Sequence, residues 1–94
     1  MNNKVFLNLS VNISKQGKHF VAYSPALDIS TSGKSKRNVQ KKFGELVQIF
    51  FEEITGAGTV EEVLTELGWK KKQSVWNPPQ VVSTNIGVRI PAFA

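Results

Sequence analysis

The acidic side chains are the first place to look for chemistry, and there are seven. Two-metal hydrolysis needs several carboxylates converging on one cation pair. Glu45, Glu52, Glu53, Glu61, Glu62 and Glu66 all fall in segments with helical spacing, and Asp28 alone lies beside a strand-like segment. The first strand-like segment, which would be expected to supply a carboxylate, has none. Metal-dependent hydrolysis is therefore not expected. Asp28 lacks a second carboxylate to split its pKa and reads as a turn or strand-edge residue. His19 is the only histidine, so it alone could serve a Ser-His-Asp triad, and no acid or nucleophile stands near it in sequence. Without cysteine there is no disulfide framework and no thiolate metal site. Residues 30–35, Ser-Thr-Ser-Gly-Lys-Ser, suggest a phosphate loop but lack the first glycine of the G-x-x-x-x-G-K-[ST] pattern. The expectation is a protein that is not an enzyme and carries no cofactor.

The remaining candidates are charge clusters. Net charge is +5, and it is blocked along the chain. Lys34, Lys36, Arg37, Lys41 and Lys42 form a run with no acid among them. Between residues 43 and 69 every charge is negative, and Lys70, Lys71 and Lys72 then restore the positive sign. Blocks of this kind are either solvated faces or guides for a partner of opposite sign. The basic run offers clustered cations to phosphate but lacks interleaved aromatics for base stacking.

These residues must be positioned by a small set of elements. At 94 residues the chain is one domain's worth. Residues 4–14 alternate, with Val5, Leu7, Leu9, Val11 and Ile13 on one side, which predicts a strand with one buried face. A hairpin loop at 15–18 leads to a return strand at 19–24, ended by Pro25, and a third strand fits 27–32. Ser35 is placed to cap a helix over 36–54, with Val39, Phe43, Leu46, Val47, Phe50 and Ile54 on its apolar face. Bases open this helix and acids close it, against the macrodipole by about 0.3–1 kcal/mol per charge. Thr59 and Glu62 match a capping box for a short second helix, which Gly68 ends. A strand is expected around residues 69–76, and a last one over 86–90 after the rigid Asn77-Pro78-Pro79 turn. The fold class is α+β: an antiparallel three-stranded meander, a helix, a short second helix and C-terminal strands. No apolar run reaches the roughly 20 residues of a membrane helix and no signal peptide is legible, so a cytoplasmic protein is expected.

The middle of the chain resembles the HicB antitoxin family. Phe20-Val21-Ala22-Tyr23-Ser24-Pro25-Ala26-Leu27-Asp28, then Gly33, then a helix capped by Ser35 are similar to the family pattern. That pattern is a strand ending in an aromatic, Pro-small-Leu, a short strand to Gly-x-Thr/Ser, and a helix. Leu67-Gly68-Trp69 resembles the close of short stand-alone members. The resemblance covers about residues 4–76 of a single domain spanning 1–94, with 77–94 as a C-terminal strand tail. It implies a degenerate RNase H-like domain that lacks the nuclease carboxylates. It makes Tyr23, Pro25, Leu27, Gly33, Ser35 and Trp69 the structural motif residues. It also implies a partner, a HicA-like toxin, which is a small basic ribonuclease.

The chain departs from that family at two points. No DNA-binding segment is legible within it, so autorepression is not expected. The first helical turn, usually acidic in the family, is basic here at Lys34, Lys36 and Arg37. A basic surface is a poor match for a basic toxin, which leaves Glu45, Glu52 and Glu53 as the toxin-facing candidates. Two alternatives stand beside the antitoxin reading. One is an anion- or nucleic-acid-binding module using the run at 34–42. The other is a stand-alone homo-oligomeric regulatory or structural protein without a toxin. A homo-oligomer is expected in either case, because a small sheet leaves edge strands that need cover, and Phe6 is a candidate contact.

Overall fold

The protein is described by a computed structural model over residues 7–92. Its architecture is α+β. β1 (Asn12–Gln16), β2 (His19–Ser24) and β3 (Ile29–Gly33) form an antiparallel meander in the order β1-β2-β3. α1 (Lys36–Ala57) and α2 (Val60–Glu66) follow, and β4 (Lys70–Lys72) pairs with β5 (Val75–Asn77) in a separate two-stranded ribbon. Among the described residues no helix is long and apolar enough to cross a membrane.

The meander follows the period-two pattern. Ala22 and Ser24 are buried on the inner face of β2, while Tyr23 points out. Leu9, Val11 and Ile13 are half-buried between exposed Ser10, Asn12 and Ser14, so the predicted alternation is correct there. The ladder is shorter than predicted and starts only at Asn12, which pairs with Tyr23. One residue beyond Tyr23, β2 runs into the Pro25 turn, so residues 7–11 have no strand to pair with. Leu7 is exposed rather than buried. Lys4, Val5 and Phe6 lie outside the described residues.

α1 begins as predicted. The Asn38 N–H donates to Ser35 Oγ at 3.0 Å, and the Lys34 N–H donates to Asn38 Oδ1 at 3.0 Å. Gly33 lets the sheet and helix meet: a Cβ there would stand 2.6 Å from Asn38 Oδ1 and 2.8 Å from the Val39 nitrogen. The helix runs three residues past the predicted end, to Ala57, because Gly58 takes the left-handed conformation at φ 69°. Gly58 N–H then donates to Thr55 O, and Thr59 N–H to Ile54 O. This is a Schellman closure. α2 closes the same way, through Gly68 N–H to Thr65 O and Trp69 N–H to Leu64 O.

The predicted capping box at Thr59 and Glu62 does not form. The Thr59 hydroxyl donates back to the Ile54 carbonyl at 3.4 Å and makes no cap bond to α2. The two helices are so close in sequence that Thr59 serves the end of α1 before the start of α2. The predicted strand at residues 69–76 is a hairpin. Gln73 and Ser74 both take positive φ, 49° and 66°, and fold Lys72 onto Val75. Both central residues at positive φ is the pattern of a type I′ turn.

The predicted strand over residues 86–90 is absent. Residues 78–92 carry neither helix nor strand, and Val82, Ile86, Val88 and Ile90 are exposed. A strand needs a partner for its N–H and C=O groups, and this segment has none among the described residues. The Cα radius of gyration is accordingly 16.4 Å, against about 12 Å for a compact chain of this length.

The core has two centres. Ala26, Leu27, Ile54, Leu64 and Trp69 form one, and Ala22, Val39 and Phe43 the other. Ile29 and Val47 pack against both and join them. Ser24 Oγ is buried with no hydrogen-bond partner among the described residues. A buried orphan hydroxyl costs about 1–3 kcal/mol. Ser24→Ala removes it without losing a bond, and should raise stability by about 1 kcal/mol. A thermal melt lower than that of the unchanged protein would contradict this.

Candidate functional site

Tyr23, Pro25, Leu27, Gly33, Ser35 and Trp69, on which the resemblance rests, lie where the sheet meets the helices. After β2, Pro25 opens a turn that the Asp28 N–H closes on Ser24 O at 2.8 Å. Asp28 stands at φ 54°, and the Tyr23 hydroxyl donates to its Oδ1 at 3.0 Å. That hydrogen bond to the carboxylate, with smaller contributions from partial desolvation and from its charge, pushes the Tyr23 phenol above its ordinary value. Asp28 is thus a turn residue engaged by Tyr23. Leu27 is buried in the core, and the Trp69 indole N–H reaches across to the Ala26 carbonyl at 2.8 Å. Tyr23, Pro25, Leu27 and Trp69 thus gather at the turn between β2 and β3, while Gly33 and Ser35 set the start of α1.

The titratable residues do not converge. Among the described residues no three His, Cys, Asp or Glu side chains stand close enough to hold a metal ion. His19 is exposed at the β1–β2 turn, opposite Gln16.

What the fold presents is the outer face of α1. Lys36, Arg37, Lys41, Lys42, Glu45, Glu52 and Glu53 are all exposed. At 100° per residue, Glu45, Ile49 and Glu52 fall within one narrow stripe, opposite Phe43 and Ile54, which are buried. Glu53 flanks the stripe, and Lys41 and Lys42 flank its upstream end. The face therefore changes sign along its length. No acid lies in the first turn and no base in the last. Ile49, missed in the sequence reading, is 49% exposed in the middle of the acidic half. Its signal was available: it stands four residues after Glu45 and three before Glu52, the spacing of the polar face.

Lys34, Lys36 and Arg37 surround the start of α1. Backbone N–H groups at a helix start can hold an anion, but here the Asn38 N–H is already taken by Ser35 Oγ. At the far end of the molecule, Lys70 and Lys72 line an open cleft of about 490 Å³ with Asn77, Pro78 and Pro79. Lys71 lies over the Trp76 ring, 5.8 Å from its centre.

No protein-family model matches the chain, and neither a curated protein nor a solved structure does. Its function is therefore argued from the residues and their placement.

Proposed function

We propose that the chain is a non-catalytic binding protein of the HicB-like antitoxin type, with a degenerate RNase H-like domain. It covers a small basic ribonuclease by protein contact. The observation that carries this reading is the exposed stripe of Glu45, Ile49 and Glu52 on α1. Opposite charge steers a basic partner and fixes its orientation. A half-exposed isoleucine among the acids supplies the apolar anchor that charge alone lacks. The meander-to-helix order and the buried Leu27, Gly33 and Trp69 support the family reading.

The test is capture of partners on the tagged full-length chain from its own cells, with and without nuclease, read by mass spectrometry. A small basic ribonuclease is expected in stoichiometric amount. The triple variant Glu45→Lys, Ile49→Asp, Glu52→Lys should lower its capture by roughly tenfold or more, as for hot-spot loss, with an unchanged melt. Equal capture by the variant would contradict the assignment of the face. Retention of nuclease-sensitive nucleic acid instead would favour the run at Lys34, Lys36, Arg37, Lys41 and Lys42.

A further inference from the structure

Two unsatisfied features of the fold match one another. The first is the segment at 86–90. Ile86, Val88 and Ile90 alternate with Gly87 and Arg89, the pattern of a strand with one apolar face. Their exposures are 77%, 73% and 64%. The second is the free edge of β1. Among the described residues β1 pairs only with β2, and no other strand lies on its outer edge. Beside that edge lies an open groove of about 300 Å³, floored by Leu9, Val11, Ile13, Ala22, Phe43 and Gly44. A Cβ at Gly44 would meet nothing within 4 Å. Open strand edges beside apolar surface are sites where another strand adds.

We propose that residues 86–90 of one chain pair with the outer edge of β1 in a second copy, each chain giving its arm to the other. The lengths agree, since the arm has five residues and so has β1, Asn12–Gln16, whose Ile13 lines the groove with Leu9 and Val11 just before it. With the arm in place, Ile86, Val88 and Ile90 extend the inner sheet face of Val11 and Ile13 and close the groove over Phe43. The arm's own body does not receive it in the structure, where Ile86, Val88 and Ile90 stay exposed. The arm leaves the body beside Gly68, where Pro79 Cβ lies 3.6 Å from the position of a Gly68 Cβ, near the Trp69 core centre. The groove belongs to the other centre, that of Ala22, Val39 and Phe43. Mutual exchange closes on a two-fold axis and leaves no arm over. Counting roughly 60–120 Å² for each of the three arm side chains and as much on each receiving edge, the two contacts bury about 1,000 Å². That is the lower bound for a specific interface.

The chain has no cysteine, so a single one introduced at Ser83 carries a spin label at one known place. Spin-labelled chain is mixed with isotope-labelled chain that lacks the introduced cysteine, and backbone amide broadening is read on the latter. The expected result is a dimer in solution, with broadening at Asn12–Gln16. Val88→Asp, on an exposed residue, should raise the dimer dissociation constant by roughly a hundredfold, since it places a charge among apolar side chains, and leave the melt of the dilute monomer unchanged. A monomer at the highest soluble concentration would overturn the proposal. So would a dimer indifferent to Val88→Asp, or broadening confined to the partner's own arm.

Discussion

Trp69→Ala should lower stability by about 3–5 kcal/mol, the usual cost of deleting a buried tryptophan. For a domain of this size that is a fall in melting temperature of roughly 15–30 °C. The size of the effect follows from three roles. The ring is 3% exposed and fills the larger core centre. It meets Phe51 edge-on, with centroids 6.1 Å apart. Its N–H satisfies the Ala26 carbonyl inside the turn that joins β2 to β3. Trp69→Phe separates these roles. It keeps most of the apolar volume but leaves that carbonyl without its partner, a cost of about 1–3 kcal/mol. Thermal unfolding followed by circular dichroism reads both. A melt for Trp69→Ala within a few degrees of the unchanged protein would show that the turn is held by something else.

The second large effect is expected at Gly33. A methyl group there would stand 2.8 Å from the Val39 nitrogen and 2.9 Å from Val39 Cα, and neither atom can rotate away. Gly33→Ala must therefore push α1 off the end of β3, at about 1–3 kcal/mol for overpacking. The same substitution at Gly44 is the internal control. Nothing lies within 4 Å of a Cβ there, and alanine in a helix is worth about 1 kcal/mol over glycine. Chemical denaturation should place Gly33→Ala below the unchanged protein and Gly44→Ala above it. If Gly33→Ala proved as stable as the unchanged protein, the helix would have to be free to shift, and the Ser35–Asn38 cap would not fix its start.

The physical reasons for what the sequence disclosed differ from element to element. The meander was legible because one buried face imposes period two on residues 9–13 and 20–24. The start of α1 was legible because Ser35 has one local task, accepting the Asn38 N–H. Thr59 misled because its neighbourhood offers two acceptable bonds, and the carbonyl of Ile54, which already accepts the Thr59 N–H, takes the hydroxyl as well. The β4–β5 hairpin was hidden by its turn: Gln73 and Ser74 adopt positive φ without the Asn-Gly or Gly signal that usually announces it. The segment at 86–90 has a strand's pattern but no partner among the described residues, and pattern alone cannot supply one. Ile49 was passed over because a single apolar residue on a polar face looks like noise until its neighbours are seen to be exposed acids.

The same particulars bear on mechanism. Tyr23, Pro25 and Trp69 serve the turn after β2: the Tyr23 hydroxyl donates to Asp28, and the Trp69 N–H donates to the Ala26 carbonyl. On the outer face of α1, acidic charge and an exposed apolar residue coincide. A protein that works by cover needs a rigid platform more than a reactive group. α1, docked on β3 through Gly33 and tied to both core centres by Val47, is such a platform.

The most direct test is a titration of RNA cleavage by the basic ribonuclease captured with the chain. Full-length chain should abolish cleavage at equimolar ratio, and the Glu45→Lys, Ile49→Asp, Glu52→Lys variant should leave it running. Cleavage that persists at saturating chain, or RNA cut by the chain alone, would contradict the account.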